Sequence, residues 1–457
     1  MTLRTNILTI AMVAGTLLPY GVAAEETEAA ERRAAKRIPA LITAGRATGM
    51  AVAMTAPGAE AVLSGYGATA GDGLTPMTPD TVFEIGSVSK VLTSLILAQL
   101  VLEGRVALED PAQTHMPDDI TLPQRDGRHI SLRDLASHHS GLASVPDAIL
   151  QARSDDPYAS FSRADLAAYL ADVTLARPPG QAFEYSNTGV ALLGLALETA
   201  TGQSYDVLAR ERIFKPLGMD STFVAVPEGQ SFAQGHDING DPTAHWTLGL
   251  YLPAGGWRST ARDMARFIAA ASGAAPSPLD EAFALILAQT RPTGMPSTRV
   301  ALGWFETDGI IWHNGMTGGF SSFVGYRPET GMGLALLSNQ AGAERVDGLG
   351  LHLLDASQPL APLPEAMPEH PVPQSVLADY VGIYRLSPAF AMEISANGDR
   401  LYLQATDQTR LRFRATSDTA FASAEVGAVI RFVRDDSGNV VALELDQNGI
   451  TQRAPRE

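Results

Sequence analysis

Phe83-Glu84-Ile85-Gly86-Ser87-Val88-Ser89-Lys90 is the stretch on which the reading of this chain turns. It opens a run from Val88 to Leu102 that is apolar nearly all round and stops at Gly104, the pattern of a buried helix. Ser87 and Lys90 are three residues apart, so on a helix they share a face and their side chains can meet. Ser87 in the first turn has its Oγ and backbone N–H at the positive end of the helix dipole, which favours an anionic acyl-transfer intermediate. A serine hydroxyl is a poor nucleophile without an adjacent base. A lysine can be that base where burial and neighbouring cations lower its pKa.

Lysine occurs only at Lys36, Lys90 and Lys215, against thirty arginines. A chain that otherwise prefers arginine has placed a lysine on its most apolar helix. Arginine stays protonated and could not act as a base there, whereas lysine can. In this composition a chance Ser-x-x-Lys is expected roughly 0.2 times. The bland alternative is a Lys90 that merely pairs with a buried carboxylate.

The wider composition narrows the chemistry. The chain has 457 residues, which allows two or three domains, and its 45% hydrophobic and 18% charged residues support a substantial core. A net charge of −17 disfavours a surface built for nucleic acid or anionic lipid. Cys is absent, which excludes disulfides, zinc–thiolate sites, iron–sulfur clusters and a cysteine nucleophile. No HExxH or other ligand spacing is present among the histidines, so neither a metal nor another cofactor is expected. His138-His139 adjoins a Ser-Gly turn and reads as loop structure. There is no Gly-x-Ser-x-Gly, so an ordinary α/β-hydrolase is disfavoured.

Residues 1–24 have the layout of a secretory signal: Arg4, an apolar run from Ile7 to Leu18, Pro19, then Val22-Ala23-Ala24. The run is short for a bilayer span, so an exported protein, periplasmic or secreted and without a stable span after cleavage, is expected. From Arg32 to Leu63 the pattern is a short helix, the alternating strand Met50-Ala51-Val52-Ala53-Met54, and a second strand ending near Leu63. Mostly helical sequence follows to Ala271, strands run from Ala301 to Asn339, and a helix covers Ala343 to Leu354. Strands at both ends with helices between predict one sheet made from chain-distant segments and covered by helices. A proline-dense linker over 357–375 then leads to short alternating runs separated by Asn397-Gly398, Ser437-Gly438 and Asn448-Gly449. Some eight hairpin-linked strands in this tail predict a small closed barrel or sandwich.

Two further segments complete a constellation. Tyr185-Ser186-Asn187 follows the loop Pro178-Pro179-Gly180 and precedes an apolar helix. A tyrosine there can relay a proton, and the asparagine can hold a substrate amide, although taken alone the segment is better explained by a capping Asn beside a core Tyr. His313-Asn314-Gly315 lies on the second strand of a hairpin, where Gly315 allows close approach and the Met316 N–H can donate to an oxyanion.

Ser-x-x-Lys, Tyr-x-Asn and His-x-Gly in this order, with Leu135 to Leu142, Pro216-Leu217-Gly218-Met219 and Ala254-Gly255-Gly256-Trp257, resemble the class C β-lactamase and DD-peptidase superfamily of serine hydrolases. The resemblance covers about Arg32 to Leu354 and implies an α+β fold, an antiparallel sheet flanked by helices with a helical subdomain. It implies a catalytic domain over 25–356 in which Ser87 is the acylated nucleophile, Lys90 and Tyr185 handle its proton, and Asn187 contacts the acyl-side amide. Backbone N–H groups of Ser87 and Met316 would form the oxyanion hole, with His313 and Gly315 lining the substrate strand. His313 stands where β-lactamases carry a lysine, which favours peptidase, amidase or esterase activity over efficient β-lactam hydrolysis. The substrate is then a small molecule or peptide, with a class C β-lactamase proper and a penicillin-binding receptor of little turnover as alternatives. The tail over 376–457 resembles the lipocalin-like barrel that follows many such hydrolases, where it borders the active-site mouth or mediates assembly; both roles, and an oligomer, stay open at this point.

Overall fold

The computed structural model describes residues 20–71, 73–152, 154–342, 346–362, 369–423 and 425–457. Most of the leader expected over 1–24 and the middle of the proline-dense stretch lie outside them. Among the described residues no helix is long and apolar enough to cross a membrane.

The chain-distant strands do meet. β1 (Gly49–Thr55) pairs antiparallel with β2 (Val62–Gly67) on one side and, nearly 300 residues away in sequence, with β10 (Gly333–Ser338) on the other. Strands β3 (Val82–Glu84) and β4 (Arg258–Thr260) form a small separate ribbon. β5 (Arg291–Pro292), β6 (Thr298–Val300), β7 (Phe305–Thr307), β8 (Ile310–Met316) and β9 (Ser321–Tyr326) complete the main sheet in the order β2-β1-β10-β9-β8-β7-β6-β5.

Both faces of this sheet are covered, which explains why β1, β9 and β10 are buried along their whole length. Alternation sends Ala51, Ala53, Ala335 and Leu337 into one core with the helices Ser89–Leu102 and Ala261–Ala271. Met50, Val52, Met54, Leu334 and Leu336 pack on the other face against Tyr20–Thr43 and Val346–Leu354. The first helix is 24 residues, longer than the short helix expected from Arg32 onward. Its Glu- and Ala-rich start is good helix-forming sequence, and Ala30, Ala34, Ile38 and Leu41 seat it on the sheet at helical spacing. β2 begins where the sequence reading had it end, at Val62, because its half-exposed edge position needs little apolar patterning. The strand expected from Ala301 starts only at Phe305, after a turn at Gly303.

The tail is an eight-stranded meander: β11 (Gly382–Ser387), β12 (Phe390–Asn397), β13 (Arg400–Ala405), β14 (Leu411–Ala415), β15 (Ala420–Ser423), β16 (Ala428–Arg434), β17 (Val440–Gln447) and β18 (Ile450–Pro455). It nearly closes, through a Tyr384–Arg456 bridge and a Glu457 N–H to Ile383 carbonyl bond of 2.9 Å. Asn448 at φ 54° and Gly449 at φ 75° supply the left-handed turn that joins the last two strands. A helix, Gln374–Tyr380, precedes the first strand and overlaps the expected linker; it plugs the barrel with Leu377 and with Tyr380, whose ring stacks on Phe432 at 3.9 Å.

Candidate active site

The nucleophile turn is pressed against the substrate strand backbone to backbone. Gly86 to Val88 form one turn of 3-10 helix, and Ser89–Leu102 continues it as an α-helix, so Ser87 sits just ahead of the first α-helical residue. Gly86 has φ 48°, and a Cβ there would lie 2.7 Å from the Met316 nitrogen. At Gly315 a Cβ would lie 2.1 Å from the Ile85 carbonyl oxygen and 3.0 Å from the Ser87 nitrogen. Only glycine at both positions lets the Ser87 and Met316 peptides come side by side. Ser322 on β9 holds them there, its hydroxyl donating to the Ile85 carbonyl at 2.7 Å.

Lys90 is fully buried. Its Nζ lies 2.8 Å from Ser87 Oγ and donates to the Ala254 carbonyl at 2.6 Å, so its partners are a hydroxyl and a peptide rather than a carboxylate. Desolvation holds the amine well below its usual value of 10.5, because no counter-charge offsets the loss of water. Ala254 belongs to the Ala-Gly-Gly-Trp segment, which thereby acquires a role at the site.

Tyr185 completes the cluster. Its side chain hydrogen-bonds that of Ser87, burial drives its phenol above the ordinary value of 10, and Lys90 Nζ lies 4.9 Å from its ring centroid. Ser186, not Asn187, caps the helix Asn187–Thr201: its hydroxyl accepts from the Gly189 N–H at 2.9 Å. That leaves the half-buried Asn187 side chain for other partners, and its Nδ2 donates to Ser144 Oγ at 3.3 Å.

His313 lies across from Tyr185, ring centroids 6.3 Å apart. Its Nδ1 bonds the Asn314 carbonyl at 2.5 Å, which assigns the proton to Nδ1 and leaves Nε2 as a lone-pair acceptor. Burial and the nearby Lys90 push its pKa down to about 3, so it is neutral across the working range. Full burial beside an amine disfavours the cation, so His313 is present as a neutral hydrogen-bonding group.

His138 was read as loop structure. It does lie in a loop, at φ 59°, but it is buried and its ring packs 4.4 Å from that of Tyr185. Its Nδ1 accepts from the Ser186 N–H at 3.2 Å, so the imidazole supports the tyrosine segment from beneath. A buried histidine in a left-handed conformation is a strained choice, and such strain collects at functional sites. Two adjacent histidines after a helix end were the only trace of it in the sequence.

Glu84 was likewise quoted without a role. Its carboxylate is buried, accepts the Trp246 N–H at 2.8 Å and lies 3.7 Å from Arg258, while burial raises its pKa. It ties the segment around Trp246 to the nucleophile turn.

A helix-covered antiparallel sheet, with Ser-x-x-Lys at the start of its central helix and Tyr and His brought opposite, is the arrangement of a β-lactamase-like serine hydrolase. The chain belongs to the β-lactamase family, whose description "Beta-lactamase" matches residues 32–357, and residues 366–454 match a domain of unknown function, DUF3471. It is 28% identical over 337 residues to a Pseudomonas fluorescens "Beta-lactamase", covering 65% of this chain and 90% of the relative. Identity is 32% to "Penicillin-binding protein 4" of Amycolatopsis lactamdurans, over 58% of this chain and 73% of the relative. It is 30% to the "D-alanyl-D-alanine-carboxypeptidase/endopeptidase AmpH" of Escherichia coli K12, over 63% and 78%. A solved class C β-lactamase superposes with a TM-score of 0.61 at 20% identity, covering 76% of this chain and 99% of that one, which is a likeness of fold.

Proposed function

We propose that this exported enzyme forms an acyl-enzyme on Ser87 and hydrolyses an amide or ester bond in a small molecule or peptide. The observation that carries the reading is a fully buried Lys90, bonded to Ser87 Oγ and with no carboxylate partner among the described residues. The neutral amine takes the Ser87 proton as Oγ attacks the substrate carbonyl carbon. The oxyanion is held by the N–H groups of Ser87 and Met316. Collapse breaks the carbon–nitrogen or carbon–oxygen bond, and the leaving group receives a proton through Tyr185 from Lys90. Water then attacks the acyl ester with the same groups in reverse.

Asn187, near the tyrosine, is suited to hold the acyl-side amide, and Gly315 with His313 to line the leaving-group side. A neutral His313 supplies no cation for a substrate carboxylate, so D-amino peptides with blocked termini, amides and esters are favoured over rapid β-lactam turnover. The AmpH and penicillin-binding relatives support a D-amino or cell-wall peptide, and a leader over 1–24 with periplasmic or secreted location accords with such substrates.

Steady hydrolysis of p-nitrophenyl acetate, abolished in Ser87→Ala, tests the reading. Intact mass after penicillin should show a single adduct on wild type and none on Ser87→Ala. A stoichiometric burst with no turnover of any ester, D-amino peptide or β-lactam would instead indicate a receptor.

A further inference from the structure

The barrel's polar contacts with the catalytic domain include a cluster on one short segment, 237–241, and that segment leads directly to the site. Asp241 receives Arg400 of β13 on one carboxylate oxygen, and the Tyr402 hydroxyl on the other at 2.5 Å. Asn239 accepts the Arg412 N–H at 2.7 Å and donates to the Arg410 carbonyl at 3.1 Å. Asp237 makes the segment a rigid turn, its Oδ1 accepting the N–H groups of Asn239 at 2.8 Å and Asp241 at 2.9 Å.

From this turn the chain runs into the wall of the site. The His236 N–H bonds both the Gly319 carbonyl, at 3.1 Å, and the Asn339 carbonyl, at 3.0 Å. A Cβ at Gly319 would lie 2.7 Å from the Gly235 Cα, and one at Gly318 would lie 2.6 Å from Trp246 Nε1. At Gly319 the turn Thr317 to Phe320 thus meets the backbone of Gly235 and His236 directly, while at Gly318 it meets the Trp246 ring, so a shift of this stretch passes straight to the turn. Met316, the proposed oxyanion donor, immediately precedes this turn. On the other side Trp246 bonds Glu84, three residues before Ser87.

We propose that the barrel positions the oxyanion turn of the hydrolase, with Asp241 as the anchoring residue. This rests on the roles given above to Ser87 and Met316. The Asp241 carboxylate is only 15% exposed, so its bonds to Arg400 and Tyr402 are shielded from water and specify one docking position. Asp241 touches no reacting atom; it acts by holding His236 and, through it, Gly319. Its loss should therefore lower kcat and kcat/KM together while KM stays put, the signature of an interaction made in the transition state.

The test uses the full chain with p-nitrophenyl acetate, comparing wild type, Asp241→Ala, Asp241→Asn, Tyr402→Phe and Ser87→Ala, with thermal unfolding measured alongside. Asp241→Ala should lose about tenfold in kcat, the scale of a small misplacement at the reacting centre. Asp241→Asn, which keeps the shape and an acceptor for Tyr402, should lose about threefold. Should Asp241→Ala fail to fold, Asp241→Asn and Tyr402→Phe decide by the same criterion: reduced kcat at unchanged KM supports the proposal. Wild-type kcat in well-folded variants, or a change in melting temperature alone, overturns it while leaving the Ser87 chemistry intact. An inactive wild type would overturn both readings together.

Discussion

Replacing Lys90 by methionine separates its chemistry from its packing. Methionine has nearly the same length and suits a fully buried site, but has no amine. Loss of the base should reduce kcat/KM by about 10²–10⁴-fold, or about 2.7–5.4 kcal/mol in the barrier. The effect on folding runs the other way. Burial holds the Lys90 pKa well below 10.5, so between its folded and unfolded values the unfolded chain binds a proton that the native chain does not. Native stability therefore rises with pH across that window and is lost as pH falls. Lys90→Met removes this dependence and the cost of burying the amine, offset by about 1–3 kcal/mol for an Ala254 carbonyl left without its donor. Lys90→Arg is the control: a permanent cation with added bulk, inactive and destabilised by about 1–3 kcal/mol or more. Initial rates on an activated ester from pH 6 to 10 and urea melts at each pH measure both effects. The wild-type rate should climb to a plateau well below pH 10.5, and the stability of Lys90→Met should vary less with pH. If Lys90→Met kept kcat/KM within tenfold of wild type, Lys90 would not be the base.

Four further outcomes follow from the geometry. Gly315→Ala drives a Cβ to 2.1 Å from the Ile85 carbonyl oxygen and should cost about 1–3 kcal/mol or more with most of the activity; a urea midpoint and rate equal to wild type would refute the close approach. Tyr185→Phe should lower kcat by about 10²-fold with a smaller change in KM, measured on the same ester. His138→Gly relieves a left-handed residue worth about 1 kcal/mol, yet it empties a buried imidazole site and removes the Ser186 acceptor at about 2–5 kcal/mol, so melting should fall and kcat should drop about tenfold. His313, with its pKa near 3, stays neutral in the fold while the unfolded chain takes a proton below about 6.5. Stability is thus lost as pH falls from 6.5 toward 3, by up to about 1.4 kcal/mol per unit, and His313→Asn should show a slope shallower by one proton in acid melts.

Local pattern made several features legible. Alternation and apolar runs marked β1, the buried helix after Ser87 and the barrel hairpins, because side-chain period follows directly from backbone geometry. The Asn-Gly and Ser-Gly turns were readable for the same reason, since positive φ restricts the residues that can occupy them. The helix that plugs the barrel was hidden beside prolines, and β2 was misplaced because an edge strand need not alternate cleanly.

The sequence by itself determined the chemistry available: no thiol, one of only three lysines placed one helical turn beyond a serine, and glycine at the two positions that must be bare. Tertiary structure alone decided what those groups are. Whether Lys90 is a base or half of an ion pair depends on which atoms fill its surroundings, and they come from Ala254 and Tyr185, far along the chain. His313 is neutral and His138 belongs to the site for the same reason, because desolvation and contact are properties of packed neighbours rather than of spacing.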